Sequence, residues 1–360
     1  MSIPALNETM MEAARQRLDA LAMPPESLGW LEEYAIRLAG IRGRIGGTLK
    51  DRAILVFASD NGVHRQQVTS VPQSATASTA MMIAEGRSGG AVLAHTANAS
   101  IDVYNVGCAS PVPGTRVHGS PVMYGTDDIT TGPAMSGPQL QAAFRAGASA
   151  VDAHRSADVI GIGETGVCNT TTAAAVTSCL LDIDPVLTVG PGAGVSGEEY
   201  DRKLAAVREA ISVNHPRREN VLEILQKVGG LDIAAMTGAY LRAARLQIPT
   251  VIDGYISACA ALCAVQLDPG VRNVLFASHV SPEPGFAVVL TELKLHAPLS
   301  LEMRLGEGCG CPLMFQILDQ ALAVIGDMGT RSESELPPQV QHKPSRDDTA
   351  ERFVDLRIDV

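Results

Sequence analysis

The sequence predicts an α/β fold: a doubly wound, mainly parallel sheet in three αβα layers, with a smaller helical lobe built from the two ends of the chain. Three observations carry this expectation. Short apolar runs recur along the chain, and each closes in a polar or glycine-rich loop that leads into a helical pattern. The runs are apolar at consecutive rather than alternate positions, as expected for strands buried on both faces. Aromatic residues are only 4% of the 360 residues, against 46% hydrophobic residues in all. That balance suits helices packed closely on a sheet better than an aromatic-layered β-sandwich.

Residues 3–38 read as helices, with Met10, Met11, Leu18 and Leu21 leading to a Pro24-Pro25 break and a turn. The first strand is Ala53–Ala58, closing in the polar loop Ser59-Asp60-Asn61-Gly62. Open parallel sheets place ligand sites at such carboxyl ends of strands. Further strands are expected at Ile101–Gly107, after a helix around Ala91–Ala97, and at Asp158–Gly163, Pro185–Gly190, Thr250–Gly254 and Asn273–Ser278. A helix is expected from about Glu198 to Val213, and a helical pattern from Leu290 to Met328. The predicted organisation is a Rossmann-like α/β domain at 45–289, a helical lobe from 1–44 plus 290–329, and an extended tail at 330–360. Polar residues and proline dominate that tail through Thr349, so it is expected to be disordered or draped over the surface. Its end, Phe353–Ile358, alternates like a short strand.

A formal charge of −11 argues against nucleic acid as a partner, because phosphates would be repelled. The seven cysteines sit mostly in apolar runs and are odd in number, which points to a reducing, cytoplasmic setting. Cys309-Gly310-Cys311 is too tight for a zinc pair and has no second cluster beside it, so no metal site is expected. No apolar run reaches the roughly 20 residues needed to cross a bilayer, and no signal peptide opens the chain. No membrane partner is expected.

Three loops are candidates for chemistry. The first is Gly161-Ile162-Gly163-Glu164-Thr165-Gly166-Val167-Cys168-Asn169-Thr170-Thr171. Its glycines and helix-opening amides could receive an anion, or Asn169 and Thr170 could be ordinary helix caps. It is not a P-loop, since the Gly-Lys-Ser/Thr ending is absent. The second is Gly190-Pro191-Gly192-Ala193-Gly194, with Lys203 in the following helix. Lys203 could reach an anion or be a solvated surface lysine. The third is Arg304-Leu305-Gly306-Glu307-Gly308. A carboxylate flanked by glycines can approach a substrate closely and act as a base, or be a helix-entry glutamate favoured by the helix dipole. Asp253 and Ser278-His279 end later strands, as a ribose or base contact or as turn residues. A nucleotide-dependent dehydrogenase is disfavoured, because no Gly-x-Gly-x-x-Gly follows the first strand.

Taken in order, these segments resemble the nicotinate-nucleotide–dimethylbenzimidazole phosphoribosyltransferase family over roughly Ala13 to Gly329. The matching stretches include Pro24-Pro25-Glu26-Ser27-Leu28-Gly29, Asp60-Asn61-Gly62-Val63, Thr131-Gly132-Pro133-Ala134-Met135-Ser136 and Gly163 through Thr171. They continue with Val228-Gly229-Gly230-Leu231-Asp232, Met236-Thr237-Gly238, Asp253-Gly254, Ser278-His279 and Met303 through Gly308. The resemblance implies displacement of nicotinate from nicotinate mononucleotide by an aromatic base, with inversion at C1′ and no metal or redox cofactor. It implies Glu307 as general base and Glu164 beside the reacting ribose. Gly166, Asn169, Thr170, Thr171, Gly192, Lys203 and Ser281 would hold the phosphate, with Asp253 and Gly306 also contacting substrate. Pro72, Gln73, Thr76 and Leu305 would line the base pocket.

The chain departs from the family pattern at Asn61, where the family usually has His, and at Met23 and Trp30, where it usually has Lys and Arg. Pro191 and the stretch from Pro72 to Thr76 also differ. One branch of the family activates phenol or p-cresol as a heterodimer of two homologous chains, only one of them catalytic. The resemblance therefore implies a homodimer or a heterodimer, with this chain as the active enzyme or as a silent partner of one.

Overall fold

A computed structural model of the chain describes residues 2–112, 116–192 and 194–334. The tail from residue 335, including the strand expected at Phe353–Ile358, lies outside the described residues.

The chain opens with α1 (Glu8–Asp19), started by Asn7, whose side chain accepts the Met10 amide at 3.0 Å. Next comes α2 (Trp30–Arg42), stopped by Gly43 in a left-handed conformation. Strand β1 (Arg52–Ser59) follows, with every residue after Arg52 buried, as its unbroken apolar run predicts. Helices α3 (Ser74–Ala84) and α4 (Gly89–Thr96) lead to β2 (Ser100–Gly107), and α5 (Gly137–Ala153) to β3 (Val159–Thr165). Helices α6 (Asn169–Leu181), α7 (Glu198–Asn214), α8 (Val221–Val228) and α9 (Leu231–Arg245) precede β4 (Thr250–Ile252). After α10 (Tyr255–Leu267) and β5 (Leu275–Ala277), α11 (Pro284–Leu293) and α12 (Gly310–Asp327) close the fold.

The five strands are all parallel, in the order β2-β1-β3-β4-β5. Parallel neighbours need crossover helices, which the sequence supplies between every pair of strands. Helix α9 packs across β1 to β4, and α12 packs on β3 and β4. Helices α1 and α2 lie against α12, so the two ends of the chain share one apolar core with the sheet. Thr330 bridges Leu21 in antiparallel fashion, tying the start of the tail to the end of α1. No helix among the described residues is long and apolar enough to cross a membrane.

Two expectations are corrected. Pro185–Gly190 is not a strand: Pro185–Leu187 form a 3₁₀ turn capped by Asp184, and Val186 and Leu187 are exposed. Thr188 and Val189 are buried beyond that turn without strand pairing. The helical pattern from Leu290 to Met328 is interrupted, because residues 294–309 form an irregular segment carrying the Gly306-Glu307-Gly308 turn. Gly163 on β3 makes room for that turn: a Cβ there would lie 2.4 Å from the Gly308 nitrogen.

Candidate active site

Strand order reverses between β1 and β3, where the chain leaves β1 for one edge of the sheet and later returns to its other side. A crevice opens at such a point beyond the carboxyl ends of the strands. Asp60, Glu164 and Asp253 stand at the ends of β1, β3 and β4, all buried. A cavity of about 260 Å³ lies here, lined in part by Glu164 and Asp253. Of the residues singled out in the sequence, Glu164, Gly166, Asn169, Thr170, Thr171, Gly192 and Lys203 all line it. Asp253, Ser281, Gly306, Glu307, Thr76 and Leu305 do so as well. Pro72 and Gln73 do not line it. They form the turn into α3, their carbonyls accepting the Ala75 and Thr76 amides, which leaves Ala75, Thr76 and Thr79 to face the cavity.

Three consecutive residues, Gly306, Glu307 and Gly308, have φ of 80°, 60° and 75°. A glutamate in this region is held against its preference, and such strain persists only where surrounding contacts enforce it. Those contacts are present. The Glu307 amide donates to the Glu164 carbonyl at 2.9 Å. Asp253 accepts the Gly308 amide on Oδ2 at 3.1 Å and the Gly310 amide on Oδ1 at 2.7 Å. Glu307 Oε2 accepts the Gly90 amide at 3.0 Å, at the positive end of α4, leaving Oε1 without a hydrogen-bond partner among the described residues.

Burial and like charge dominate this wall. Burial, with Asp232 and Asp253 nearby, holds Glu164 well above the usual carboxylate range, although the Asn169 amide group donates to its Oε2. Asp253 is pushed up to about 7 by burial, opposed by the Gly310 and Gly308 amides. The neighbouring Asp232 is also raised to about 7, again mainly by burial. The sequence reading gave Asp253 a ribose or turn role; its two oxygens here clamp the turn that bears Glu307.

The adjoining wall is built from the start of α6, the glycine loop and α7. Lys203 is buried, donating to Thr170 Oγ1 at 2.8 Å and to the Gly190 carbonyl at 2.7 Å. Burial lowers its pKa, partly offset by the Glu283 carboxylate. Several amides expected to be free for an anion are engaged. Gly192 donates to Glu283 Oε1 at 2.7 Å, Val167 to Thr76 Oγ1 at 3.0 Å, and Thr171 to the Cys168 carbonyl at 3.0 Å.

Sequence reasoning missed Glu283 and Gly90. Glu283 precedes Pro284 at the start of α11, where a carboxylate reads as a helix-dipole residue, so nothing local sets it apart. His279 lines the cavity, its Nδ1 paired with Ser278 Oγ at 3.0 Å and its pKa lowered by burial. Among the described residues, no group of three or more His, Cys, Asp or Glu side chains is arranged to hold a metal ion.

Comparison with known proteins agrees with this architecture. Residues 3–336 match a family model described as phosphoribosyltransferase. The nicotinate-nucleotide–dimethylbenzimidazole phosphoribosyltransferase of Clostridium tetani is 38% identical over 336 residues, covering 93% of each chain. That of Photorhabdus laumondii is 40% identical over 338 residues, covering 93% of this chain and 96% of its own. The crystal structure of the Thermus thermophilus enzyme of that name superposes with a TM-score of 0.87 at 34% identity, over 93% of this chain and all of that one. The chain is a phosphoribosyltransferase and belongs to the nicotinate-nucleotide–dimethylbenzimidazole phosphoribosyltransferase family.

Proposed function

We propose that this enzyme moves the 5-phosphoribosyl group of nicotinate mononucleotide to an aromatic base, giving an α-riboside 5′-phosphate for a cobamide lower ligand, with Glu307 as general base. The observation that carries this reading is the polarity of one cavity. Glu164, Asp253 and Glu307 line one wall, while Lys203 and Thr170 line the adjoining one. Nicotinate mononucleotide has matching polarity: a cationic ring nitrogen at C1′ and an anionic phosphate at C5′. A cation beside Glu164 favours ionisation of that buried acid, and the ionised acid in turn favours positive charge developing at C1′.

The incoming base must lose a proton as it attacks. Glu307 suits that task because one oxygen is fixed by the Gly90 amide while Oε1 has no partner among the described residues. Nicotinate leaves readily from its quaternary nitrogen, so the protein's main work is to align the nucleophile and remove its proton. Dimethylbenzimidazole as acceptor, rather than phenol or p-cresol, is supported by the names of the relatives. The presence of Glu164, Glu307 and Lys203 around one cavity supports a catalytic chain over a silent partner.

The test is chromatographic. The purified chain is incubated with nicotinate mononucleotide and, separately, dimethylbenzimidazole, adenine, phenol and p-cresol, and free nicotinate and new ribotides are followed. A ribotide peak with dimethylbenzimidazole is expected. No product with any base would overturn the reading and make this chain a silent subunit, whose mass when purified alone would then show whether it needs a homologous partner.

A further inference from the structure

Nicotinate mononucleotide carries two anionic groups, and the phosphate is only one of them. The ring carboxylate is fixed to the same ring as the cationic nitrogen. Seating that nitrogen beside Glu164 therefore brings the carboxylate to the acidic wall of the cavity. Glu164, Asp253 and Glu307 line that wall, and Glu283 lines the cavity as a further acid. An anion placed there without a cation of its own would be repelled. The lining offers two basic side chains, Lys203 and Arg304, together with His279. Lys203 belongs to the adjoining wall, where it donates to Thr170 and to the Gly190 carbonyl. Burial favours the neutral form of His279, which pairs with Ser278 Oγ. Arg304 is different. It is exposed where it lines the cavity, and its guanidinium makes no hydrogen bond or ion pair among the described residues. It stands three residues before Glu307, a separation of at most about 11 Å along an extended chain. The same segment touches Glu164, whose carbonyl accepts the Glu307 amide.

We infer that Arg304 pairs with the ring carboxylate of the donor nucleotide and so selects nicotinate over nicotinamide mononucleotide. This rests on the proposed donor, with its ring nitrogen beside Glu164. Nicotinamide mononucleotide has the same ribose, phosphate and cationic ring nitrogen, and differs only in a neutral amide where the carboxylate stands. A guanidinium meets a carboxylate with two parallel N–H donors, a geometry that an amide with one acceptor oxygen does not match. Charge-assisted hydrogen bonds of this kind contribute about ten- to a hundredfold in affinity.

The test compares the two nucleotides as donors, with dimethylbenzimidazole as acceptor and ribotide formation as the readout. Their binding is measured in parallel by calorimetry. The unaltered enzyme is expected to show a kcat/KM for nicotinate mononucleotide at least about tenfold above that for nicotinamide mononucleotide. Arg304→Gln should lower the first value about ten- to a hundredfold and leave the second little changed, so that the preference collapses. Arg304→Lys should fall between, because it keeps the charge and loses the planar fork. Equal use and equal binding of the two nucleotides by the unaltered enzyme would overturn the inference, and that comparison needs no variant to fold. Equal losses for both donors in Arg304→Gln, or no loss for either, would overturn it too and place Arg304 away from the carboxylate. If neither donor gives ribotide with any base, the transfer reading fails and this inference falls with it, an outcome distinct from ribotide formed equally well from both.

Discussion

Gly90 donates its amide to Oε2 of Glu307 at 3.0 Å, joining the start of α4 to a turn 217 residues away in sequence. The contact needs glycine, because a Cβ at position 90 would lie 2.4 Å from the Glu307 carbonyl oxygen and 2.9 Å from its Cβ. Both neighbours belong to a turn already held in left-handed conformation, so they cannot yield cheaply. The helix start supplies one fixed donor to the carboxylate and sets where it lies.

Glu307→Gln is accordingly expected to lower kcat by about a hundred- to ten-thousandfold. Affinity for nicotinate mononucleotide should stay near that of the unaltered enzyme, since the shape of the turn is kept. Nicotinate release and calorimetric binding measure the two quantities separately. Near-normal turnover would remove Glu307 from the role of base. Gly90→Ala displaces the turn and should lower kcat at least about tenfold, by loss of alignment rather than of the base itself.

Asp253 makes a different prediction, because its two oxygens accept the amides of Gly308 and Gly310. Asn at this position offers one oxygen and one NH₂, so one of those buried amides would face a donor. The expected destabilisation is about 1–3 kcal/mol, read as a lower melting temperature. If Asp253 acts through the turn, kcat falls while KM is little changed. A raised KM with kcat preserved would instead place Asp253 on the ribose.

Much of this fold was legible because its signals are local. The run Ala53–Ala58 is apolar at every position and becomes β1, buried on both faces. The helix expected from about Glu198 to Val213 forms as α7, Glu198–Asn214. The same reasoning failed at Pro185–Gly190, where Pro185–Leu187 form a 3₁₀ turn capped by Asp184 that leaves Val186 and Leu187 exposed. The site divides in the same way. Glu164 and Glu307 stand among glycines, a local mark of close approach. Gly90 and Glu283 carry no such mark, since their meaning lies in contacts across 217 and 91 residues. Pro72 and Gln73 were placed in the base pocket by the family resemblance of the whole stretch, but they form the turn into α3, and of that helix Ala75, Thr76 and Thr79 line the cavity.

Lys203 is buried and tied to Thr170 and the Gly190 carbonyl. Its replacement by Met keeps most of the apolar stem and removes the charge. A charge-assisted hydrogen bond to phosphate contributes about 1.5–3 kcal/mol, so affinity for nicotinate mononucleotide should fall at least about tenfold. Nicotinate riboside, lacking the phosphate, should bind both proteins alike. Equal losses for nucleotide and riboside would mean that the substitution damages the cavity rather than removing a phosphate contact.

Asp232 gives stability its own pH dependence. It is fully enclosed at the start of α9, and burial raises its pKa to about 7, against an ordinary value of 3.8. Its Oδ1 accepts the Ile233 amide at 2.9 Å, while Oδ2 and the nearby Asn61 Oδ1 have no donor among the described residues. A protonated Asp232 removes the buried charge and adds a donor to this acceptor-rich spot. Because the folded chain holds a proton that the unfolded chain releases above about pH 4, the contribution is fully present at low pH. It is lost as pH rises toward 7, at up to about 1.4 kcal/mol per unit. Above pH 7 both states are ionised at this group and the loss stops. Asp232→Asn is neutral throughout, so its melting temperature should fall less steeply than that of the unaltered enzyme between pH 5.5 and 7, with parallel curves from 7.5 to 8.5. Parallel curves across the whole range would mean that Asp232 is already ionised in the folded protein at pH 5.5, with a donor other than its own proton meeting Oδ2.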